Sequence, residues 1–147
     1  MSNMKRGMYR YIGSGSSRKV FDLRNGYVVK VAKNSAGVAQ NKMEYKISSM
    51  DNSNLFAKVL QVSKNFHVLI MEKADKIYDF SSVCNYFKVG SILQVLTLKE
   101  FQSLYFRYNL LLNDLCRTSS WGIINERPVI IDYGFTTEIR EKYYSRH

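Results

Sequence analysis

Two aspartates 18 residues apart, Asp114 and Asp132, each stand where an ordered segment runs out into a loop. Asp132 ends the apolar run Val129-Ile-Ile131 and precedes Tyr133 and Gly134. A carboxylate at the mouth of a buried strand, followed by a residue free to take positive φ, can hold a metal ion or face a phosphate. An Asp in that place also simply forms turns, so its meaning depends on its company. Earlier in the chain, Gly13-Ser-Gly15 lies in a Gly/Ser loop, where glycines let backbone amides approach phosphate oxygens. Gly/Ser turns also join ordinary hairpins, and no Gly-Lys-Ser/Thr follows to make a Walker A loop. Lys30 is embedded in Tyr27-Val-Val-Lys-Val-Ala32. There an ammonium either finds a partner or snorkels to water from an edge strand. Glu44 is a candidate partner, the only acid between Asp22 and Asp51.

These residues need elements to position them. Residues 8–13 and 19–23 read as strands joined by the Gly/Ser loop. Arg24-Asn25-Gly26 supplies a hairpin turn into the strongest β segment, residues 27–32. Ala36, Ala39, Met43, Ile47 and Met50 recur at three- and four-residue steps, predicting a helix with one buried stripe and Glu44 beside it. Residues 55–63 and 67–73 predict a second hairpin, turning at Lys64-Asn65. The second half is helical first. Residues 79–88 form a short candidate, interrupted by Gly90. Leu98, Phe101, Leu104, Tyr105, Tyr108, Leu111 and Leu112 mark one long amphipathic helix ending near Asn113-Asp114. A polar loop over residues 117–120 and a hairpin over residues 122–132 follow, with Trp121 expected to pack that hairpin on the long helix.

Composition suits a folded domain. The chain has 147 residues, 46% hydrophobic and 14% aromatic, and its eleven Tyr and eight Phe argue against disorder. No apolar run approaches the roughly 18 residues that cross a bilayer, and the N-terminus lacks the apolar core of a secretory signal. Cys84 and Cys116 have no metal-ligand spacing and read as free thiols in a reduced cytoplasm. Of the net charge of +10, the first fifty residues contribute most, with ten Lys/Arg against two acids. Such a surface either attracts the phosphates of a nucleotide, an acidic protein or nucleic acid, or is simply a solvated face that keeps the protein soluble. Nucleic acid is the least favoured, since no helix-turn-helix, zinc or RNA-binding signature accompanies the charge.

In their order and spacing these segments resemble the protein kinase superfamily, over roughly residues 10–136. Gly13-x-Gly15-x-x-Arg18-x-Val20 is similar to the glycine-rich nucleotide loop, with Arg18 where the third glycine usually lies. Tyr27-Val28-Val29-Lys30 is similar to the Val-Ala-Ile-Lys strand, and Val68-Leu-Ile-Met71-Glu72-Lys73-Ala74 to the hinge strand. Asn113-Asp114-Leu115 resembles a stripped His-Arg-Asp-Leu, and Asp132-Tyr133-Gly134 the Asp-Phe-Gly motif. The resemblance implies an α+β, two-lobed protein-kinase-like fold. Its N-lobe, residues 1–74, would be a five-stranded antiparallel sheet with one helix. Its reduced C-lobe, residues 75–147, would be mainly helical with a β-hairpin.

The resemblance also implies roles. Lys30 would bind the α- and β-phosphates of ATP, with Lys33 as the competing candidate, and Glu44 would orient it. Ile12, Val20 and Val28 would line the adenine pocket with Gly13 and Gly15 beneath the phosphates. Met71 would be the gatekeeper, and Glu72 and Ala74 would offer backbone to adenine. Asp114 would be the catalytic base and Asp132 the main Mg²⁺ ligand. Leu112 and Asn113 replace the His and Arg before the catalytic Asp. The catalytic-loop Asn falls on Ser119 or Ser120, so Ser120 would be the second metal contact. Thirteen residues follow Gly134, which implies no activation segment or peptide platform. Three expectations stand: a minimal kinase of bacterial or phage type acting on a hydroxyl of an unknown protein or small molecule, a pseudokinase acting by protein contact, and a basic nucleic-acid-binding protein.

Overall fold

A computed structural model describes residues 10–144, without the side chains of Arg10, Ile12 and Ser14. The described residues fall into two units. One holds the residues up to Asp51 together with Ala57–Lys73. The other holds Asn52–Phe56 and the residues from Ala74 onward.

The first unit is an antiparallel sheet of five strands, β1 (Arg10–Ser14), β2 (Arg18–Asp22), β3 (Tyr27–Ala32), β4 (Val59–Val62) and β5 (Val68–Glu72), in the order β1-β2-β3-β5-β4. One helix, α1 (Ser35–Met50), is inserted after β3. Local chemistry explains the turns. Arg24 and Gly26 take φ of 61° and 91° between β2 and β3, as a tight hairpin demands. Asn34 caps α1, its side chain accepting from Gly37 N at 3.0 Å. The strand expected from residue 8 begins at Arg10, and Met8 and Tyr9 lie outside the described residues. The strand expected over residues 55–63 contracts to Val59–Val62. Its first residues serve the other unit, where Leu55 O accepts from Ile130 N at 2.7 Å and Phe56 bridges Ile130.

The buried face of α1 departs from the apolar stripe. Ala36, Gly37, Gln40, Asn41, Glu44 and Ile47 are buried, whereas Met50 is exposed and Ala39 and Met43 are only half-buried. The helix turns Asn41 and Glu44 inward because strands β2 and β3 present partners for them.

The second unit carries α2 (Ser81–Phe87), α3 (Ile92–Leu96), α4 (Lys99–Tyr108), α5 (Leu112–Leu115), a 3-10 turn (Thr118–Ser120) and α6 (Thr137–Tyr143). Its strands are β6 (Asp75–Lys76), β7 (Trp121–Ile124) and β8 (Arg127–Ile130), so the expected hairpin gains a third strand. The single long helix expected from residue 98 to 112 is divided. Asn109 adopts φ 56° and ends α4, Leu110 pairs with Thr136, and Leu112 opens α5. Phe101, Leu104 and Tyr108 form the buried stripe of α4. Trp121 packs the hairpin against that helix, 5.7 Å from Phe101 between ring centroids, and donates its Nε1–H to Leu115 O at 2.8 Å. Phe56 stands between Tyr108 and Tyr133, at 5.9 and 4.6 Å. No helix among the described residues is long and apolar enough to cross a membrane.

Candidate functional site

The register of the first sheet groups the expected nucleotide residues. Val20 pairs with Lys30, Val28 with Met71, and Lys30 with Leu69. Directly opposite residues share a face and a strand's faces alternate with period two. Val20, Val28, Lys30 and Met71 therefore stand on one face of the sheet. Val28 and Met71 are buried and Val20 is half-buried. Glu72, at the end of β5, pairs with Tyr27, and its N–H donates to Lys58 O at 2.9 Å. Ala74 falls in the second unit, and the Ile12 side chain lies outside the described residues.

From the same face, Lys30 Nζ reaches Glu44 Oε1 at 2.9 Å, with both side chains buried. A second cation joins them. Arg18 donates Nη1 to Glu44 Oε1 at 2.7 Å and Nη2 to Oε2 at 3.1 Å, and Nη1 also to Asn41 Oδ1 at 3.1 Å. Burial by itself would raise the Glu44 carboxyl. The Arg18 guanidinium and then the Lys30 ammonium override it, holding the carboxyl at about 2 against an ordinary 4.5. Arg18 was legible only as the residue in place of a glycine. The available signal was its position two residues before Val20, which puts both side chains on one face.

Lys33 lies past the end of β3 and is engaged elsewhere. Its Nζ donates to Gly15 O at 2.7 Å and its N–H to Ser17 O at 2.7 Å. Asn34 Nδ2 adds a bond to Ser16 O at 3.3 Å. The β3–α1 junction thus holds three successive carbonyls of the glycine loop. Gly37 brings α1 closer still, since a Cβ there would run into Ser17 O and lie 3.0 Å from the Ala32 Cβ. Gly13 and Gly15 are different. Neither has positive φ, and a Cβ on either would meet nothing within 4 Å.

In the second unit, Asp114 lies in α5 and is half-buried, while Asp132 follows β8 at an exposed position. Burial and then the charge of Asp132 push the Asp114 carboxyl above its ordinary value, and Arg117 and Arg140 pull only partly back. Ser120 is buried in the 3-10 turn, and its carbonyl accepts from Ile131 N at 2.7 Å, beside Asp132. The acids and Ser120 are thus gathered at one end of the hairpin. Among the described residues, no group of three or more His, Cys, Asp or Glu could hold a metal by itself.

No protein-family model and no curated protein sequence matches the chain. Solved structures do. The streptomycin–ATP ternary complex of APH(2″)-IIa aligns at a TM-score of 0.50 with 16% identity, covering 90% of this chain and 67% of that one. The kinase domain of PknI from Mycobacterium tuberculosis aligns at 0.50 with 14% identity, covering 93% and 64%. The chain thus spans about two thirds of either neighbour. At such identities the likeness speaks for the fold alone. The fold is protein kinase-like, α+β with a five-stranded antiparallel sheet, one helix inserted, and a mainly helical second part.

Proposed function

We propose that this chain binds ATP with Mg²⁺ and transfers the γ-phosphoryl group to a hydroxyl of a protein or small molecule. The carrying observation is the buried Lys30–Glu44 pair at 2.9 Å on the face that also bears Val20, Val28 and Met71. A buried ion pair is weak evidence for stability. In a kinase-like fold the same pair aims an ammonium at the α- and β-phosphates. The glycine loop supports the reading. Gly13 stands where β1 shifts register on β2, a place that glycine often takes. Neither Gly13 nor Gly15 is crowded by protein atoms, which leaves room for a phosphate to approach the backbone.

Asp114 suits a base, because a carboxyl raised toward the working pH accepts a proton more readily. It would orient the acceptor hydroxyl and take its proton at a carboxylate oxygen. The repulsion between Asp114 and Asp132 and their hard oxygen donors fit Mg²⁺, which takes one or two carboxylates and completes its shell with phosphates and water. Bound at Asp132, the ion would neutralise charge on the phosphate oxygens. The two solved neighbours stand at the same TM-score, one in complex with streptomycin and one a kinase domain, so neither class of acceptor is favoured.

The test is the melting temperature with millimolar ATP and MgCl₂. Saturation near 100 times Kd adds about 2.7 kcal/mol to the native state, a shift of several degrees that Asp132→Ala should largely lose. Failure of the wild type to shift would sink the proposal. Ser120, buried where a metal-binding amide is expected, favours a second reading in which nucleotide is held without transfer. Labelled γ-phosphate separates the two: transfer that Asp114→Asn abolishes while still binding ATP supports the enzyme.

A further inference from the structure

Arg18 spends both arms of its guanidinium on Glu44 and one of them also on Asn41. Asn41 in turn donates to Lys30 O at 3.5 Å and to Phe66 O at 2.9 Å. Stability alone is a poor reason for this arrangement. Burying a second cation beside a Lys–Glu pair carries a desolvation penalty, and apolar replacements of buried ion networks are often neutral or stabilising. What a bidentate guanidinium adds is geometry. It fixes the plane and both oxygens of a carboxylate, which a single ammonium cannot do. Lys30 is bonded to Oε1, the oxygen that Arg18 Nη1 also holds at 2.7 Å. The place of the Lys30 ammonium is therefore set by strand β2, the strand that leaves the glycine loop.

We propose that Arg18 is a positioning residue for phosphoryl transfer, locking Glu44 and α1 from within the five-stranded unit so that the Lys30 ammonium is held at one point relative to the loop. This rests on the phosphotransferase reading above. In kinases the Lys–Glu pair must be in place before transfer proceeds. Here the β2 arginine supplies the lock as part of the fold itself.

Arg18→Met removes the clamp and keeps most of the side-chain volume. Arg18→Lys keeps the charge but cannot grip both oxygens. Each is compared with the wild type by melting temperature without ligand, by the Mg·ATP melting shift, and by kcat and KM for phosphate release from ATP. A misplacement that matters only as charge moves in the transition state lowers kcat rather than weakening ground-state binding. For Arg18→Met, kcat should fall about tenfold or more while KM for ATP stays within about threefold. Arg18→Lys should melt near the wild type yet recover less than half of the lost kcat. Should Arg18→Met fail to fold, Arg18→Lys carries the test. Wild-type kcat in a folded Arg18 variant overturns the positioning role and leaves the phosphotransferase reading standing. A wild type that ignores Mg·ATP overturns both. A wild type that binds it without turnover overturns the positioning role, since no transfer then depends on where Lys30 stands.

Discussion

Glu44 in the first unit and Asp114 in the second are both carboxylates taken partly out of water, and their surroundings push them in opposite directions. Glu44 is fully buried, yet two cations and the three charge-assisted hydrogen bonds they give it drive its carboxyl down to about 2. Asp114 is half-buried, and its nearest strong influence besides burial is another acid, so its carboxyl is driven up. The first is a completed network, in which one carboxylate is shared by two cations. The second retains an unfavourable charge that stability alone would remove. Groups kept in such a state are where catalysis finds its acids and bases. This contrast supports the proposed division of labour, with holding in the first unit and proton chemistry in the second.

The largest effect should come from breaking the completed network. Glu44→Ala leaves Arg18 and Lys30 buried without the carboxylate between them, a change that typically costs about 3–5 kcal/mol. A urea titration should show the midpoint fall accordingly, and a loss below about 1 kcal/mol would mean that the cluster is far more hydrated than its burial indicates. The same network has an acid signature in the wild type. A carboxyl lowered from 4.5 to about 2 on folding contributes stability that is fully present above pH 4.5 and lost as pH falls toward 2. Glu44→Ala should flatten the stability profile in that window.

A smaller effect should follow from separating the helix from the glycine loop. Gly37→Ala gains about 1 kcal/mol of helix propensity. Against that, the new methyl meets Ser17 O, a backbone atom already held by Lys33 N at 2.7 Å, and so cannot turn aside. Overpacking of that kind costs about 1–3 kcal/mol. The expected net outcome is a lower melting temperature with weakened Mg·ATP binding, because the loop must move with the helix. A rise in stability would show that the junction yields easily and that the loop is not pinned by it.

What was legible in the sequence follows the same division. Lys30 declared itself by standing in an apolar strand, and Glu44 by being the only acid nearby. Asp132 was marked by the strand that ends at it. The polar face of α1 was not legible, since counting apolar spacings favours Ala39, Met43 and Met50. Gln40, Asn41 and Glu44 are buried instead, and for Asn41 and Glu44 the partners that make burial tolerable lie on β2, β3 and the turn before β5. The break of α4 at Asn109 was hidden for a similar reason. The apolar stripe runs on through Leu111 and Leu112, but the pairing of Leu110 with Thr136, 26 residues away, diverts the backbone. Strand β6 is two residues long, too short for alternation to register.

The smallest stability effect discriminates best between the two units. A carboxyl whose folded pKa is raised contributes stability below its unfolded value, and that contribution is lost as pH rises through the folded pKa. At neutral pH, ionised Asp114 therefore works against its own unit. Asp114→Asn keeps the shape and removes the charge, so it should stabilise the protein at pH 7, by less than about 1 kcal/mol because the group is half exposed and screened. The gain should shrink as pH falls toward the ordinary value of 3.8 and the wild-type carboxyl takes up its proton. Glu44→Ala and Asp114→Asn would then move stability in opposite directions while both impair transfer. Removing a carboxylate that belongs to the scaffold weakens the scaffold, and removing one kept for chemistry relieves it. Denaturation of Asp114→Asn with a midpoint at or below the wild type at pH 7 would place Asp114 with Glu44 among the structural acids and remove the ground for assigning it the proton.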